Sequence, residues 1–311
     1  MTASPIHEPV RVVIPTRNRH TELRRCLESL VSQTIAPDMV VVCDASDSED
    51  SATVCADVSA AGVLPVLHLP ARAPGLTAQR NCGLSALPDS CGFVLFLDDD
   101  VILSSTYVER LLTLFEEHAE VVGASGIATQ QRETSTAPLY YRSYTSLFCL
   151  SSMRRQGVVL ASGVNTPPPA AGPPVEAEWL FGCAMYRSRL FEELSFDESL
   201  TGYGLSEDVD FSMRASKYGA LMVDPCALLD HRRSPNERLD VRAFERVSAR
   251  NRHWLMRRHR PGTRSSLAYW WSMLGLSILY VSRMRHEDEA KSAIERFRGL
   301  LEGVADVARR R

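Results

Sequence analysis

Apolar positions fall into two rhythms along the first 130 residues. Short continuous runs (Val10 to Ile14, Met39 to Cys43, Leu64 to Leu69, Phe93 to Leu97, Val121 to Ile127) are separated by stretches of mixed character. In Arg19 to Gln33 the apolar residues are Leu23, Cys26, Leu27, Leu30 and Val31. Spacings of three and four place them on one face of a helix. Leu76 to Leu87 and Thr106 to Glu117 read the same way. Continuous runs, unlike alternating ones, suit strands buried on both faces of a parallel sheet. The strand–helix order predicts an α/β fold: an open, doubly wound, mostly parallel sheet with helices on both faces. Pro15 is expected to end the first strand.

Residues 128–175 break this rhythm. The run Thr166-Pro-Pro-Pro-Ala-Ala-Gly-Pro-Pro174 suits neither a helix interior nor a central strand, and reads as a loop or link between two halves. Beyond it come Trp179 to Tyr186, a helix-like stretch from Ser206 to Tyr218 and a short strand at Ala220 to Val223. From Asp240 the chain reads as helical to its end, closing with an apolar stripe at Ala290, Ala293, Ile294, Phe297, Leu300, Leu301 and Val304. Asp240 to Arg264 holds eight arginines against two acids, an excess of six positive charges. Leu267 to Ser282 is nearly all apolar and includes Trp270, Trp271 and Tyr280. At 16 residues it falls short of the roughly 20 a helix needs to cross a bilayer. Two readings stay open for residues 240–285. One is a core helix with its arginines solvated or paired. The other is peripheral contact with anionic lipid head groups, which basic and interfacial aromatic residues favour.

Composition narrows the class. The chain has 311 residues, 45% hydrophobic and 23% charged, with a net charge of −3, which excludes disordered, collagen-like and disulfide-dense proteins. The basic stretch carries no recognition motif and the chain is acidic overall, so no nucleic-acid partner is expected. The eight cysteines form no C-x-x-C pair and read as reduced thiols. Met1 to Val10 lacks the basic and apolar regions of a secretory signal. The expected location is the cytoplasm or the cytoplasmic face of the membrane.

The sharpest chemical feature is Asp98-Asp99-Asp100, directly after an apolar strand. Ligands of open α/β sheets bind at the carboxyl ends of the strands. Alternate strand residues point the same way, so Asp98 and Asp100 can share one site. Their repulsion calls for a cation between them, and oxygen ligands favour Mg²⁺ or Mn²⁺. A solvated turn is the competing reading. A second acidic group is Ser206-Glu207-Asp208-Val209-Asp210, where Ser206 could cap a helix whose first turn favours acids, or one carboxylate could serve as a general base. His231 closes the short apolar stretch Leu228-Leu229-Asp230-His231.

In order, these segments resemble family 2 glycosyltransferases, inverting enzymes of GT-A fold. Val13-Ile14-Pro15-Thr16-Arg17-Asn18-Arg19 is similar to their first strand and turn, and Val41-Val42-Cys43-Asp44-Ala45-Ser46-Asp47 to their V-D-D-G-S segment. Gly75 to Asn81 resembles their G-x-x-x-A-R-N helix start, and Leu97 to Asp100 the strand end bearing their D-x-D motif. Trp179 to Arg187, with Gly182, is similar to their acceptor-side segment. Glu207 to Phe211 followed by Arg214 resembles their E-D-x-D-x-x-x-R helix, and His231 lies where many members place a metal-binding histidine. The resemblance covers about residues 10–260. Cys43 departs from a common acid and Ala45 from a usual glycine.

The resemblance implies a GT-A catalytic domain over residues 1–235, with about 8–127 forming the nucleotide-sugar half and 175–235 the acceptor-side half, and a helical region over 236–311. It implies metal-dependent transfer of a hexose or deoxyhexose from a nucleoside-diphosphate sugar to a saccharide or lipid-linked acceptor, in synthesis of a bacterial-type polysaccharide, glycolipid or glycoconjugate. Asp100 and His231 would ligate Mg²⁺ or Mn²⁺, with Asp98 between the ribose and the metal shell. Pro15, Thr16, Arg17 and Asp44 would hold the base and ribose, and Asp99 would join the nucleotide-sugar contacts. Arg80 would touch the diphosphate or brace Asp98. Asp208 would be the general base, with Glu207 secondary and Asp210 structural. Trp179 and Gly182 fall on the acceptor side, Trp179 either facing a sugar or packing in the core.

Two alternatives belong to other classes. A haloacid-dehalogenase-like phosphatase also carries D-x-D after an apolar strand, but near its start and with a downstream lysine. Here 97 residues precede Asp98, and Lys217 is the internal lysine before Lys291. A catalytically inactive sugar-nucleotide-binding protein would not need Asp98, Asp100 and Asp208 together.

Overall fold

In the computed structural model, which describes residues 8–88, 92–133, 137–202, 204–232 and 239–309, the apolar runs become strands of one nine-stranded sheet. The first half alternates β1 (Val10–Thr16), α1 (His20–Val31), β2 (Met39–Asp44), α2 (Asp50–Ala60), β3 (Val66–Pro70), α3 (Leu76–Ser85) and β4 (Phe93–Phe96). There follow β5 (Val101–Leu103), α4 (Tyr107–Glu117), β6 (Val121–Ala128), α5 (Thr129–Glu133) and α6 (Leu139–Leu147). The second half holds β7 (Val175–Glu176), β8 (Ala184–Arg187), α7 (Glu207–Ala215) and β9 (Ala220–His231). Three helices close the chain: α8 (Val241–His259), α9 (Thr263–Arg283) and α10 (Glu287–Arg309).

The strand order is β3-β2-β1-β4-β8-β6-β9-β5, with β7 also on β9. Strands β3, β2, β1 and β4 are mutually parallel, as are β6 and β9. The others, β8, β5 and β7, run antiparallel to their neighbours. This is the mostly parallel, two-faced sheet that the continuous apolar runs predict. Each run serves both faces: Val12, Ile14 and Leu95 pack with Leu23, Leu27 and Leu111 of α1 and α4, while Val13, Val94 and Phe96 pack with Phe211 and Ala215 of α7.

The departures from expectation have local causes. Strand β1 continues through Pro15, because its pairing with β4 has ended at Val13 and the missing N–H falls where no β4 partner is paired. The helix α2 was not expected; its buried Val54, Cys55 and Val58 sit among small and acidic residues that blur the period. Strand β9 runs 12 residues where only Ala220 to Val223 was expected. A register irregularity against β6, between Ser125 and Ile127, accommodates Pro225 and lets the strand continue to His231. The seven described cysteines are free thiols; Cys91 and Met1 to His7 lie outside the described residues.

Many arginines of α8 are committed within the fold. Arg242 pairs with Glu302, Arg246 with Asp306 at 2.7 Å, and Arg258 with Asp197 at 2.6 Å. This is the paired-arginine reading for that helix. Among the described residues, no helix is long and apolar enough to cross a membrane. Helices α8 and α10 touch at Gly299 and Gly303: a Cβ on Gly299 would lie 2.1 Å from the Arg242 carbonyl oxygen. Gly299→Ala should therefore force the helices apart and cost about 1–3 kcal/mol of stability in a denaturant melt. An unchanged midpoint would contradict the close contact.

Candidate active site

A cavity of about 540 Å³ opens where the carboxyl ends of β1 and β4 meet the start of α7 and the end of β9. It is lined by Pro15, Thr16 and Arg17, by Asp98, Asp99 and Asp100, by Gly182, by Glu207 and Asp208, and by His231. Residues more than 100 positions apart thus share one space, and the topology explains how. After β4 the chain turns through the three aspartates into β5, which pairs antiparallel with β9 so that Val101 faces His231. The Arg232 amide donates to the Asp100 carbonyl at 2.9 Å, and His231 Nε2 lies 3.0 Å from Asp100 Oδ1. The Phe181 ring packs against the imidazole, with centroids 5.6 Å apart.

Asp98, Asp100 and His231 each offer a ligand atom, and the three atoms lie within 4.8 Å of one another. Two hard oxygens and an imidazole nitrogen suit a divalent cation of the Mn²⁺ or Mg²⁺ type. The electrostatics agree. Five carboxylates line the cavity, with Arg17 and Arg19 as the arginines on its walls, so a cation would relieve an acidic excess.

Arg80 makes the site rigid. It stands on α3, which lies close on the sheet: a Cβ at Gly83 would come 2.4 Å from Val13 Cγ1. The side chain is 1% exposed. Its Nη1 donates to Glu207 Oε1 at 2.5 Å, and its Nη2 to Asp98 Oδ1 at 3.2 Å and to the Gly182 carbonyl at 3.3 Å. The guanidinium also lies 5.2 Å from the Phe196 ring centroid. Burial works against its charge, but Glu207 and Asp98 outweigh this and hold its pKa above the ordinary value. Arg80 therefore braces Asp98 and Glu207 and is not among the residues lining the cavity, the bracing alternative of the two expected for it.

The structure places the other expected residues as follows. Asp99 is 3% exposed and lines the cavity already engaged, accepting from Thr16 Oγ1 at 2.8 Å and Arg19 Nη1 at 3.0 Å. Burial pushes its pKa up to about 7 despite Arg19 and Thr16. Asp44 sits at the end of β2, outside the cavity lining, bound to the Ser46 amide and to His68. Trp179 is buried among Val159, Val209 and Leu255, and its Nε1 donates to the Thr166 carbonyl. The core reading holds for it, and it presents no face to the cavity. Ser206 does not cap α7 with its side chain; it adopts a left-handed conformation at φ 75°. The first turn instead carries Asp208, whose Oδ1 accepts from the Val209 amide at 2.8 Å. Burial and the neighbouring Glu207 push the Asp208 pKa well above the usual carboxylate range. Asp210 is fully buried, bonded to Arg214, Arg258 and His259, which ties α7 to α8.

Three contributors were not picked out from the sequence. Arg19 spans Asp99 and Asp100, at 3.0 and 3.7 Å. Gln79 donates to the carbonyls of Thr16 and Cys43, locking the ends of β1 and β2. Phe181 supports His231. The adjacency of Arg19, Gln79 and Phe181 to quoted motif residues is the signal that could have found them. No lysine lines the cavity among the described residues, and Lys217 is exposed beyond α7, which removes the phosphatase alternative's required group.

Comparisons with known proteins bear on the family and the fold. The sequence model of the family described as Glycosyl transferase family 2 matches residues 11–194. A pre-mycofactocin glycosyltransferase of Mycobacterium tuberculosis H37Rv is 31% identical over 255 residues, covering 79% of this chain and 48% of that protein. The glycosyltransferase GlyA of Streptococcus pneumoniae serotype 4 is 24% identical over 205 residues, covering 62% of this chain and 26% of that one. The chain thus spans about half or less of the curated relatives it matches. Among solved structures, the Pyrobaculum calidifontis mannosyltransferase PcManGT, in complex with GDP-Man and Mn²⁺, aligns over 97% of this chain and 89% of its own, with a TM-score of 0.60 at 12% identity. Staphylococcus aureus TarS 1-349 in complex with UDP-GlcNAc aligns over 95% and 81%, with a TM-score of 0.52 at 16% identity. At such identities the likeness is one of fold.

The brace makes a stability prediction. Arg80→Met should cost about 3–5 kcal/mol in a urea melt, because it leaves Glu207 buried without its partner. Adding Glu207→Gln should recover part of that loss. Strict additivity of the two changes would contradict the pairing.

Proposed function

The chain belongs to glycosyl transferase family 2, and we propose that it moves a sugar from a nucleoside-diphosphate donor to an acceptor hydroxyl with inversion at the anomeric carbon. The observation that carries this reading is the meeting of Asp98, Asp100 and His231 with Asp208 around one cavity. Pro15, Thr16 and Arg17 hold the nucleotide at the end of β1, with Asp44 fixing the adjoining turn of β2. Asp98, Asp100 and His231 hold Mn²⁺ or Mg²⁺, whose chemistry when bound is to offset charge developing on the departing diphosphate. Gly182 lies on the acceptor side, where a side chain would press on Arg80 at 3.1 Å. Residues 1–235 form the catalytic unit and 236–311 its helical support. The acceptor is a saccharide or a lipid-linked molecule.

Asp208 supplies the base. Its carboxylate takes the proton from the acceptor hydroxyl as that oxygen attacks the anomeric carbon. The bond from that carbon to the diphosphate breaks, and its electron pair leaves on the diphosphate oxygen. Glu207 acts through Arg80, keeping Asp98 and the start of α7 in place. The raised Asp208 pKa has a definite sign for the pH profile: the base is competent only when deprotonated, so the rate falls as pH drops through a value above the usual carboxylate range.

The direct test screens UDP-, GDP- and dTDP-sugars for Mn²⁺-dependent binding, then measures transfer with the donor that binds. Asp208→Asn should keep donor binding, lose about 10²- to 10⁴-fold in rate and remove the acid limb of the profile. Unchanged transfer would refute the base assignment. Chelation should abolish transfer and added Mn²⁺ restore it. His231→Ala should raise the Mn²⁺ required by at least the roughly 10- to 100-fold that outer-sphere partners of metal ligands already cost.

A further inference from the structure

The outer face of α9 is apolar along its length. Leu267, Trp271, Leu274, Ile278 and Val281 follow one another at spacings of four and three, so they form a single stripe, and each is 43% to 66% exposed. The opposite face, with Tyr269, Met273, Leu276 and Tyr280, is buried against α8 and α10. Helix α6 lies alongside. The Tyr144 hydroxyl donates to the Gly275 carbonyl at 2.5 Å, Trp271 Nε1 donates to the Leu147 carbonyl at 2.8 Å, and Phe148 stacks on Trp271 at 4.8 Å. Leu139, Tyr140 and Leu147 of α6 are 64% to 77% exposed. Large apolar side chains concentrated on two adjoining helices mark an interaction surface, unlike hydrophobic residues scattered singly.

The two segments that carry this surface hold charge of one sign, with acids beginning just beyond them at Glu176, Glu178, Glu287, Asp288 and Glu289. Residues 137–175 and 260–286 contain seven arginines and no aspartate or glutamate, in a chain of net charge −3. Glu178 neutralises Arg155 and Arg260 in part, and Glu289 faces Arg283. Arg142, Arg154, Arg264 and Arg285 are exposed and hold no ion pair among the described residues. At the start of α9 a second cavity, about 480 Å³, is lined by Arg155, Arg260 and Arg264 together with serines. The Arg260 Nε there is buried without a hydrogen-bond partner.

We propose that α6 and α9 seat this chain on the surface of an anionic phospholipid bilayer. The stripe lies in the plane of the interface, at the boundary of head groups and acyl chains, with the arginines against lipid phosphates and one phosphate in the second cavity. Charge selects this occupant over a second copy of the chain. Two copies meeting through the stripe would bring arginine-rich borders together, whereas anionic head groups complement them. The contact lies on α6 and α9, not on the arginine-rich α8, where Arg242, Arg246 and Arg258, half of its six arginines, are paired internally. It uses no residue of the first cavity and stands whether or not the transferase reading does.

The test is flotation of the full chain with vesicles of phosphatidylcholine alone and of phosphatidylcholine mixed with phosphatidylglycerol. The chain should float with the mixed vesicles, float little with the neutral ones, and release as salt rises. Tryptophan emission should shift to the blue on binding. Leu274→Glu with Ile278→Glu should lower partition by at least about tenfold, without moving the melting midpoint, because both side chains are exposed. Arg154→Glu with Arg264→Glu should remove the preference for the anionic vesicles. Absence of flotation with mixed vesicles, or equal flotation of the stripe variant, would overturn the proposal. So would a dimer in vesicle-free solution that the stripe variant dissociates. Should the glutamate pair unfold the chain, Leu274→Ser with Ile278→Ser carries the same comparison.

Discussion

One buried guanidinium joins the two halves of the site. Arg80 reaches from a helix of the first half to Asp98 at the end of β4 and to Glu207 at the start of α7. A charge taken out of water is tolerated only while its partners hold it in good geometry, and removing one partner is costly. The pairing therefore fixes more than three side chains. Asp98 is two residues from Asp100, and Glu207 is next to Asp208, so the metal-type cluster and the proposed base are held in register by the same cation. Phe96 and Phe196 pack against the guanidinium, at 5.8 and 5.2 Å from their ring centroids, and Phe196 stacks in turn on Phe211 at 4.6 Å.

The fold was legible wherever both faces of an element are buried. The run Phe93 to Leu97 has apolar residues at every position because its two sets of side chains serve two different cores. Legibility failed where a tertiary partner overrides the local signal. Pro15 reads as a stop but sits beyond the paired part of β1 on the β4 side. Pro225 reads as a break in the chain, yet β9 absorbs it as an irregularity and continues to His231. Helix α2 was missed because its contact face is narrow and its other residues are small or acidic.

The site was legible as residue types more than as roles. The three aspartates, Asp208 and His231 announce themselves by clustering after apolar segments, and they do share a cavity. Which of them face that cavity depends on pairings between distant segments. Asp99 is engaged by Thr16 and Arg19 at the cavity wall, and Trp179 is taken into the core by Val209 and Leu255. Neither outcome has a local pattern. The same holds for the basic stretch after Asp240, where acids on α10 some 60 residues later decide which arginines remain free.

The central claim is that Asp98, Asp100 and His231 form one cation site facing Asp208. Its most direct measurement is a crystal structure with Mn²⁺ and a nucleoside diphosphate, with the ion located by its anomalous scattering. A single strong peak is expected in contact with Asp100 and His231, with the diphosphate seated between it and the end of β1. A manganese peak elsewhere, with the diphosphate bound and these three side chains unliganded, would contradict it.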